Sequence, residues 1–464
     1  MNVDSSLVWQ ARLPLLSLIV LSVAALYFRY REGRLLTPAS GLHLQIFIFF
    51  GLGGLAFVSF LDAEPILNND EVFHYAAVSS RPLLVGYAIA VAVEYFLFKT
   101  PKRPEPVLTK TCILPSGILL ALAIMGFSGH LLEGRVSLGS FNSVPTYFKS
   151  LFFPCLLLAL INTVMHKVTG RIITPLIFLM AILTGVLSPW RSVLIILAAT
   201  FMLGISLSRP KSAPLALGAG IMLLLFLIPF QNIRKSDPEA FGQHPVEAFK
   251  QVMNMSLRER STDSGEFLAK RLNYLREAAY IYRATEADLT LLHGKTYEAV
   301  LAQLVPRFIW PEKPELARLA GYELPREVGL LQEVDENTSW AVNMFAEAMY
   351  NFGPTCLIWF IPVAFLVAHG IEALLPKWLN TERAHLVGNV AYFYFFLERT
   401  TVIFAASIGL AMMVVLKIVD LAMGWMPSNA PLAGRHAGDK RLGRRRVRQH
   451  SLRGSASHED SSIR

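Results

Sequence analysis

Residues Leu13 to Phe28 read LPLLSLIVLSVAALYF, sixteen residues without a charge between Arg12 and Arg29. As α-helix they rise about 24 Å, and with their flanks they reach across roughly 30 Å of hydrocarbon. The block is too uniformly apolar to be one face of a surface helix, and it has neither a basic leader nor a small-residue cleavage site before Arg29. It reads as a retained membrane span, not a signal peptide. Similar blocks recur along the 464 residues, of which 53% are hydrophobic and 17% charged, against about 25% charged in soluble domains. That composition excludes a water-soluble enzyme or binding protein. The expected fold is an all-α polytopic membrane protein.

Eleven spans are expected (10 to 12 with the uncertain ends): Leu13–Phe28, Leu42–Leu61, Pro82–Phe98, Cys112–Ser128, Phe148–Met165, Ile172–Leu187, Ser192–Leu207, Ala213–Phe230, Gly353–Leu374, Leu386–Leu397 and Thr400–Val419. Leu386–Leu397 is short and is followed at once by Glu398 and Arg399, so a re-entrant pair of half helices is the alternative there. Short loops rich in Lys and Arg stay in the cytoplasm. Alternate segments, with the tail, carry about 22 such residues and the short loops of opposite parity about six. The amino terminus is thereby placed outside and the carboxyl terminus inside. The chain divides into an N-terminal bundle of about eight spans (1–230), one long outer loop (231–338), a C-terminal bundle of about three spans (339–426) and a basic cytoplasmic tail (427–464). Most of the net charge of +9 comes from that tail, whose last thirty residues hold nine Lys and Arg against three Asp and Glu. A basic tail facing anionic lipid accounts for it without a nucleic-acid partner. All three cysteines, Cys112, Cys155 and Cys356, sit in apolar blocks, which supports neither a disulfide framework nor a metal site.

The outer loop carries the chemistry. Asp263 followed by Glu266 reads as a capping box, and Leu268, Leu272, Leu275, Ala279 and Tyr282 follow at helical spacing. One amphipathic helix of about 25 residues is expected, its other faces displaying Lys270, Arg271, Arg276 and Arg283. These charges are either a solvated surface or a source of anion ligands. Further on, Pro306, Pro311 and Pro314 stiffen the chain around Arg307, Trp310 and Lys313. An aromatic between cations suits a sugar or a phosphate, and equally Trp310 suits an interfacial anchor. Trp340, Asn343, Glu347 and Tyr350 or Asn351 fall at helical steps on one face of a membrane-entering helix, where polar groups are expensive unless they face a cavity or protein. Glu347 is either a working carboxylate or one neutralised by an arginine. Arg191 precedes the span that starts at Ser192, where it meets either a phosphate or lipid headgroups.

The segment Pro306-Arg307-Phe308-Ile309-Trp310-Pro311-Glu312-Lys313-Pro314 resembles the PR-x-x-WP-x-KP segment of the oligosaccharide repeat-unit polymerases, the O-antigen polymerase (Wzy-type) family of Gram-negative bacteria. Glu347-Ala348-Met349-Tyr350-Asn351-Phe352-Gly353 is similar to that family's E-x-x-x-N-F-G entry to the next span, and Gly294-Lys295-Thr296-Tyr297 and Arg191 fit the same pattern. The resemblance covers about a third of the chain. It implies a fold like that of lipid-linked glycan polymerases and ligases (GT-C-like), with a mainly helical periplasmic loop. It also implies a glycosyltransferase of the inner membrane that transfers a growing glycan from undecaprenyl pyrophosphate to the non-reducing end of another lipid-linked repeat unit. Arg191, Arg271, Arg307 and Lys313 would hold the leaving diphosphate, Trp310, Tyr350 and Asn351 the sugars, and Glu347 would take the proton of the attacking hydroxyl. Related ligases place a histidine on the outer loop. Here the available ones are His244 and His293, and His293 is the alternative base. No metal and no cofactor is implied. The partners implied are the undecaprenyl-pyrophosphate-linked oligosaccharide, the bilayer, a flippase and a chain-length regulator.

Three other functions fit parts of the pattern. A transporter or flippase of lipid-linked sugars would also have many spans, although no internal repeat is evident. A ligase that moves polymer onto lipid A core would share the outer loop. A membrane protease would need a matched nucleophile and histidine, which Cys356 lacks.

Overall fold

The structure is a computed structural model. It describes residues 5–59, 69–98, 116–132, 149, 151–162, 173–187, 192–208, isolated positions between 214 and 233, 245–271, 274–287, 289–298, 310, 324–329, 342–397 and 402–424. Helix is the regular structure throughout these residues, with no strand among them. Four helices are long and apolar enough to cross a membrane: Ser6–Arg31, Pro38–Phe57, Asp70–Leu97 and Pro354–Trp378. The protein is therefore a helical membrane protein. By contacts the chain divides into two units, Met1–Asp420 and Leu421–Arg464.

Helix α1 (Ser5–Arg31) contains the block Leu13–Phe28 whole. Helix α2 (Pro38–Phe57) starts on Pro38, whose missing N–H costs nothing at a first turn, and carries a π-helical stretch at Ile46–Leu52. Helix α3 (Asn69–Leu97) begins thirteen residues before the expected start at Pro82, because that proline lies inside the helix. Bilayer helices tolerate an interior proline when neighbours satisfy the freed carbonyl. Helices α4 (Ser116–Leu132), α5 (Phe152–Ile161), α6 (Ile173–Leu187) and α7 (Ser192–Ser208) are shorter and apolar. They pack as neighbours, α5 against α7 and α4 against both α5 and α6.

Between the bundles, the single amphipathic helix expected from Asp263 is instead two helices, α9 (Leu257–Arg271) and α10 (Tyr274–Glu286), preceded by α8 (Pro245–Asn254). The capping box lies seven residues earlier than expected. The Ser256 amide donates to Glu259 Oε2 at 2.7 Å and the Glu259 amide to Ser256 Oγ at 3.2 Å. Asp263 is interior to α9 and does not start it.

Helix α11 (Met344–Phe352) leads through a tight turn, Pro354–Cys356, into α12 (Leu357–Trp378). Helix α13 (Glu382–Leu397) starts where Asp420 accepts the amides of Asn380 and Thr381, each at 2.9 Å. Its sixteen residues rise about 24 Å and are mostly buried, so it is an inner helix and not a lipid-facing one. Helix α14 (Val402–Gly424) follows.

The first unit has two distinct ends. Gln10 near the start of α1 meets Arg81 midway along α3, and Arg29 meets Glu94 near the finishes of both, so these helices run the same way. Helix α12 joins them in that sense, with Leu357 against Gly86 and Glu372 beside Arg29. Helix α2 runs back, from Ser40 beside Arg29 to Gly54 beside Leu275 of α10. Gly86 is what lets α3 and α12 touch, since a Cβ there would stand 2.2 Å from the Leu357 carbonyl oxygen. Close small-residue contact is the usual way for helices to associate in lipid, which offers no hydrophobic drive of its own. Trp9, Leu13 and Val20 of α1 and Trp359, Val363 and Val367 of α12 point outward, as lipid-facing positions require.

Candidate functional site

At the end where α1 and α3 begin, α10 and α11 close over the bundle with the turn 289–298 beside them. Asn343 starts α11 by accepting the amides of Phe345 and Ala346 at 2.9 and 3.0 Å, two donors a helix start leaves unpaired. Its own Nδ2 donates to Glu277 Oε2 of α10 at 2.5 Å, with both residues buried. Asn343 is thus a cap that ties two helices together.

Glu347 lies one turn further in and has no exposed surface. Its Oε2 accepts the Val402 amide at 2.6 Å, the first donor of α14, where the helix dipole favours a negative charge. Its Oε1 is buried and makes no hydrogen bond of good geometry. Burial pushes this carboxyl up to about 7, opposed by the Val402 amide and by the nearby Thr296 hydroxyl. A carboxyl balanced near neutrality with one oxygen uncommitted is the form a general base takes.

Asn351, a turn later, is committed on every side. Its Oδ1 accepts the Gly294 amide at 3.0 Å, and its Nδ2 donates to Thr296 Oγ1 at 2.7 Å and to the Glu347 carbonyl at 2.8 Å. The Leu292 and His293 amides donate to the carbonyls of Tyr350 and Asn351 at 3.1 and 2.9 Å, so the turn satisfies acceptors that the helix end leaves open. Gly353 makes this end possible: its φ of +81° belongs to the left-handed region, and its amide closes on Met349. The E-x-x-x-N-F-G string therefore has a structural reading. Asn351 clips the turn, Gly353 ends the helix, and Glu347 is left as the member without a full set of partners.

His293 occupies the left-handed region at φ 47° and is exposed on this turn. Tyr350 is buried within α11, and burial holds its hydroxyl well above the ordinary range. Trp310 is 42% exposed, and Arg271 is the last residue of α9. Arg191, Arg307, Lys313 and Trp340 lie outside the described residues. Of the expected site residues, the structure brings together Glu347, Tyr350, Asn351 and the His293 backbone.

A second polar cluster, which the sequence reading did not single out, lies at the opposite end. Arg29, 2% exposed, pairs with Glu94 of α3 and Glu372 of α12 and also holds Thr37 and Ser40. Arg34 pairs with Glu372 as well, and the Ala39 amide donates to it at 3.2 Å. His43 lies 2.7 Å from both Glu94 and the Tyr87 hydroxyl, and His369 stands between the two glutamates. The signal was present in the sequence as polar residues inside apolar blocks, His43, Glu94, His369 and Glu372, since such groups need partners from other helices.

A family model described as a domain of unknown function, DUF8712, matches residues 43–323, and the chain belongs to that family. The match takes in α2 through the turn at His293 and ends before α11. No curated protein and no solved structure matches the chain.

Proposed function

We propose that this DUF8712 protein is a glycosyltransferase that polymerises undecaprenyl-pyrophosphate-linked oligosaccharide repeat units at the periplasmic face of a bacterial inner membrane. The observation that carries the reading is Glu347, a buried carboxyl held near neutrality with Oε1 making no hydrogen bond of good geometry, at the loop-covered end of the bundle. The attacking hydroxyl of the acceptor sugar forms a bond to the anomeric carbon of the donor glycan as the bond to the pyrophosphate oxygen breaks. Glu347 takes the hydroxyl proton, and the leaving diphosphate keeps the bonding electrons. Neutralising that leaving group falls to Arg191, Arg271, Arg307 and Lys313. His293, exposed on the turn that Asn351 clips, is the residue next in line as base.

The topology proposed with it is eleven spans, an outer amino terminus and an inner tail. The shared direction of α1, α3 and α12 and the reversed direction of α2 support this alternation. The Arg29–Glu94–Glu372 cluster then falls at the cytoplasmic end, and Glu347 at the periplasmic end.

One observation favours a second reading, a transporter of lipid-linked sugars: the same cluster puts buried ionisable groups among membrane helices. The polysaccharide profile of a deletion strain separates the two. Single repeat units on outer-membrane lipid mark a lost polymerase, long polymer retained on its carrier marks a lost ligase, and repeat units trapped in the cytoplasmic leaflet mark a lost transporter.

A further inference from the structure

Helices α12 and α14 both run away from the Glu347 end. Val402, which starts α14, is bonded to Glu347, and Asp420 near its finish holds Asn380, just past the last residue of α12. Their outward faces lie side by side. On α12, Leu374 and Trp378 stand one turn apart and are both exposed, and on α14 Leu410, Val414 and Ile418 follow at four-residue steps, each more than half exposed. The Trp378 indole N–H donates to the Met413 carbonyl at 3.3 Å, which joins the two faces into one apolar strip. From Leu410 to Ile418 the strip rises about 12 Å, and it finishes at Trp378 and Lys417.

The cation at that finish is held in place. Lys417 Nζ donates at 2.7 Å to the Trp378 carbonyl, an acceptor that the end of α12 leaves open, and lies 5.7 Å from the centre of the Trp378 ring. Asp420 is 3.4 Å from the same ammonium, but only 1% of its side chain is exposed, because it is turned inward onto the amides of Asn380 and Thr381. Lys417 keeps 31% of its own side chain exposed.

Two further cations flank it. Lys377, exposed beside Trp378, and Arg383, half-buried in the first turn of α13, make no ion pair among the described residues. Three cations thus stand with two carboxylates, Asp420 and the exposed Glu382, which leaves one positive charge over. With Asp420 turned inward, the outer surface is more cationic than that count.

We propose that the strip between the ends of α12 and α14 is a binding site for one anionic phospholipid of the leaflet opposite Glu347, independent of the polymerase reading. An acyl chain lies along Leu374, Val414 and Leu410, and the phosphate meets Lys417, Lys377 and Arg383. The Trp378 ring takes the level between them, the usual place of tryptophan at a membrane interface. A zwitterionic headgroup would bring a further cation to a surface already positive, whereas a net negative one neutralises it.

The test is quenching of Trp378 fluorescence in the full chain, held in phosphatidylcholine vesicles into which phosphatidylglycerol or phosphatidylcholine with brominated acyl chains is titrated. The share belonging to Trp378 is the difference from Trp378→Phe. A basic residue near the surface is worth about 1 kcal/mol to an anionic lipid, about fivefold in binding. Brominated phosphatidylglycerol should therefore quench that share at a mole fraction at least about fivefold lower than brominated phosphatidylcholine, and Lys377→Gln combined with Arg383→Gln should bring the two lipids together. The basic tail is the same in both proteins, so its own attraction for anionic lipid does not produce the difference. Native mass spectrometry from micelles holding equal amounts of the two lipids reads the same site without altering Trp378: the unsubstituted chain should retain one more phosphatidylglycerol than the double variant. Equal quenching of Trp378 by the two lipids in the unsubstituted protein overturns the proposal, since the strip then takes up bulk lipid only, and so does a preference that survives the double substitution.

Discussion

Replacing Asn351 with alanine removes at once the two side-chain hydrogen bonds that hold the turn 292–296 to α11, those to the Gly294 amide at 3.0 Å and Thr296 Oγ1 at 2.7 Å, together with a bond inside the helix to the Glu347 carbonyl at 2.8 Å. All lie at a side chain with no exposure, so water does not replace them in the closed state. At about 1 kcal/mol net apiece, the turn loses about 2 kcal/mol of its attachment. Each 1.4 kcal/mol is tenfold in an equilibrium, so the turn should open roughly 30 times more often. Two backbone bonds remain, from Leu292 and His293, which makes local opening the expected failure instead of global unfolding. Hydrogen exchange read on the peptide covering 290–297 measures this directly. Gly294 should show the largest loss of protection, while helices at the far end keep theirs. Gly294 exchange within about threefold of the unsubstituted protein would refute the reasoning, since it would mean that the backbone bonds alone hold the turn.

Gly86→Val places a side chain where even a Cβ meets the Leu357 carbonyl at 2.2 Å; thermal unfolding in detergent should show a loss of at least the roughly 1–3 kcal/mol of ordinary overpacking, with a normal midpoint as the contrary result. The Glu347 carboxyl is raised in the folded protein to about 7, so the fold binds its proton more tightly than the unfolded chain does. The stabilisation is complete below the ordinary carboxyl range and is lost as pH rises through about 7; Glu347→Gln should remove up to about 3 kcal/mol of that dependence. A reporter fused near Asp288 should behave as extracytoplasmic and one after Arg435 as cytoplasmic, and both landing on one side would remove the compartment that the proposed reaction needs.

What the sequence made legible was mainly what lies along one stretch of chain. Leu13–Phe28 needed no partner to be read as a span, and it lies whole within Ser6–Arg31. Pro82 misled because proline at a helix start and proline inside a bilayer helix look alike until neighbouring helices are known. Ser256 with Glu259 and Asp263 with Glu266 are both acceptable capping boxes by spacing, and only the three-dimensional register chooses the first. Glu347 was legible as an expensive carboxylate on a membrane-entering helix. Asn351 was not legible as a clip, because its partners Gly294 and Thr296 lie more than fifty residues away. The distal cluster was hidden for the same reason: Arg29 and Arg34 served as topology markers, and their counter-charge Glu372 is over 330 residues further along the chain.

The central claim is that Glu347 accepts the proton of the attacking hydroxyl. Its most direct test is the polymerisation rate of purified Glu347→Gln protein on purified lipid-linked repeat units, with Glu347→Asp measured beside it at equal protein level. Glutamine keeps the shape and the bond from Val402 but takes no proton, and loss of a general base costs roughly 10² to 10⁴ in rate. The account predicts a fall of that size in the glutamine variant and partial activity in the aspartate variant, with the unsubstituted rate climbing through about pH 7 as the carboxyl ionises. A glutamine variant that joins repeat units at the unsubstituted rate would contradict the account and leave Glu347 as a cap on α14.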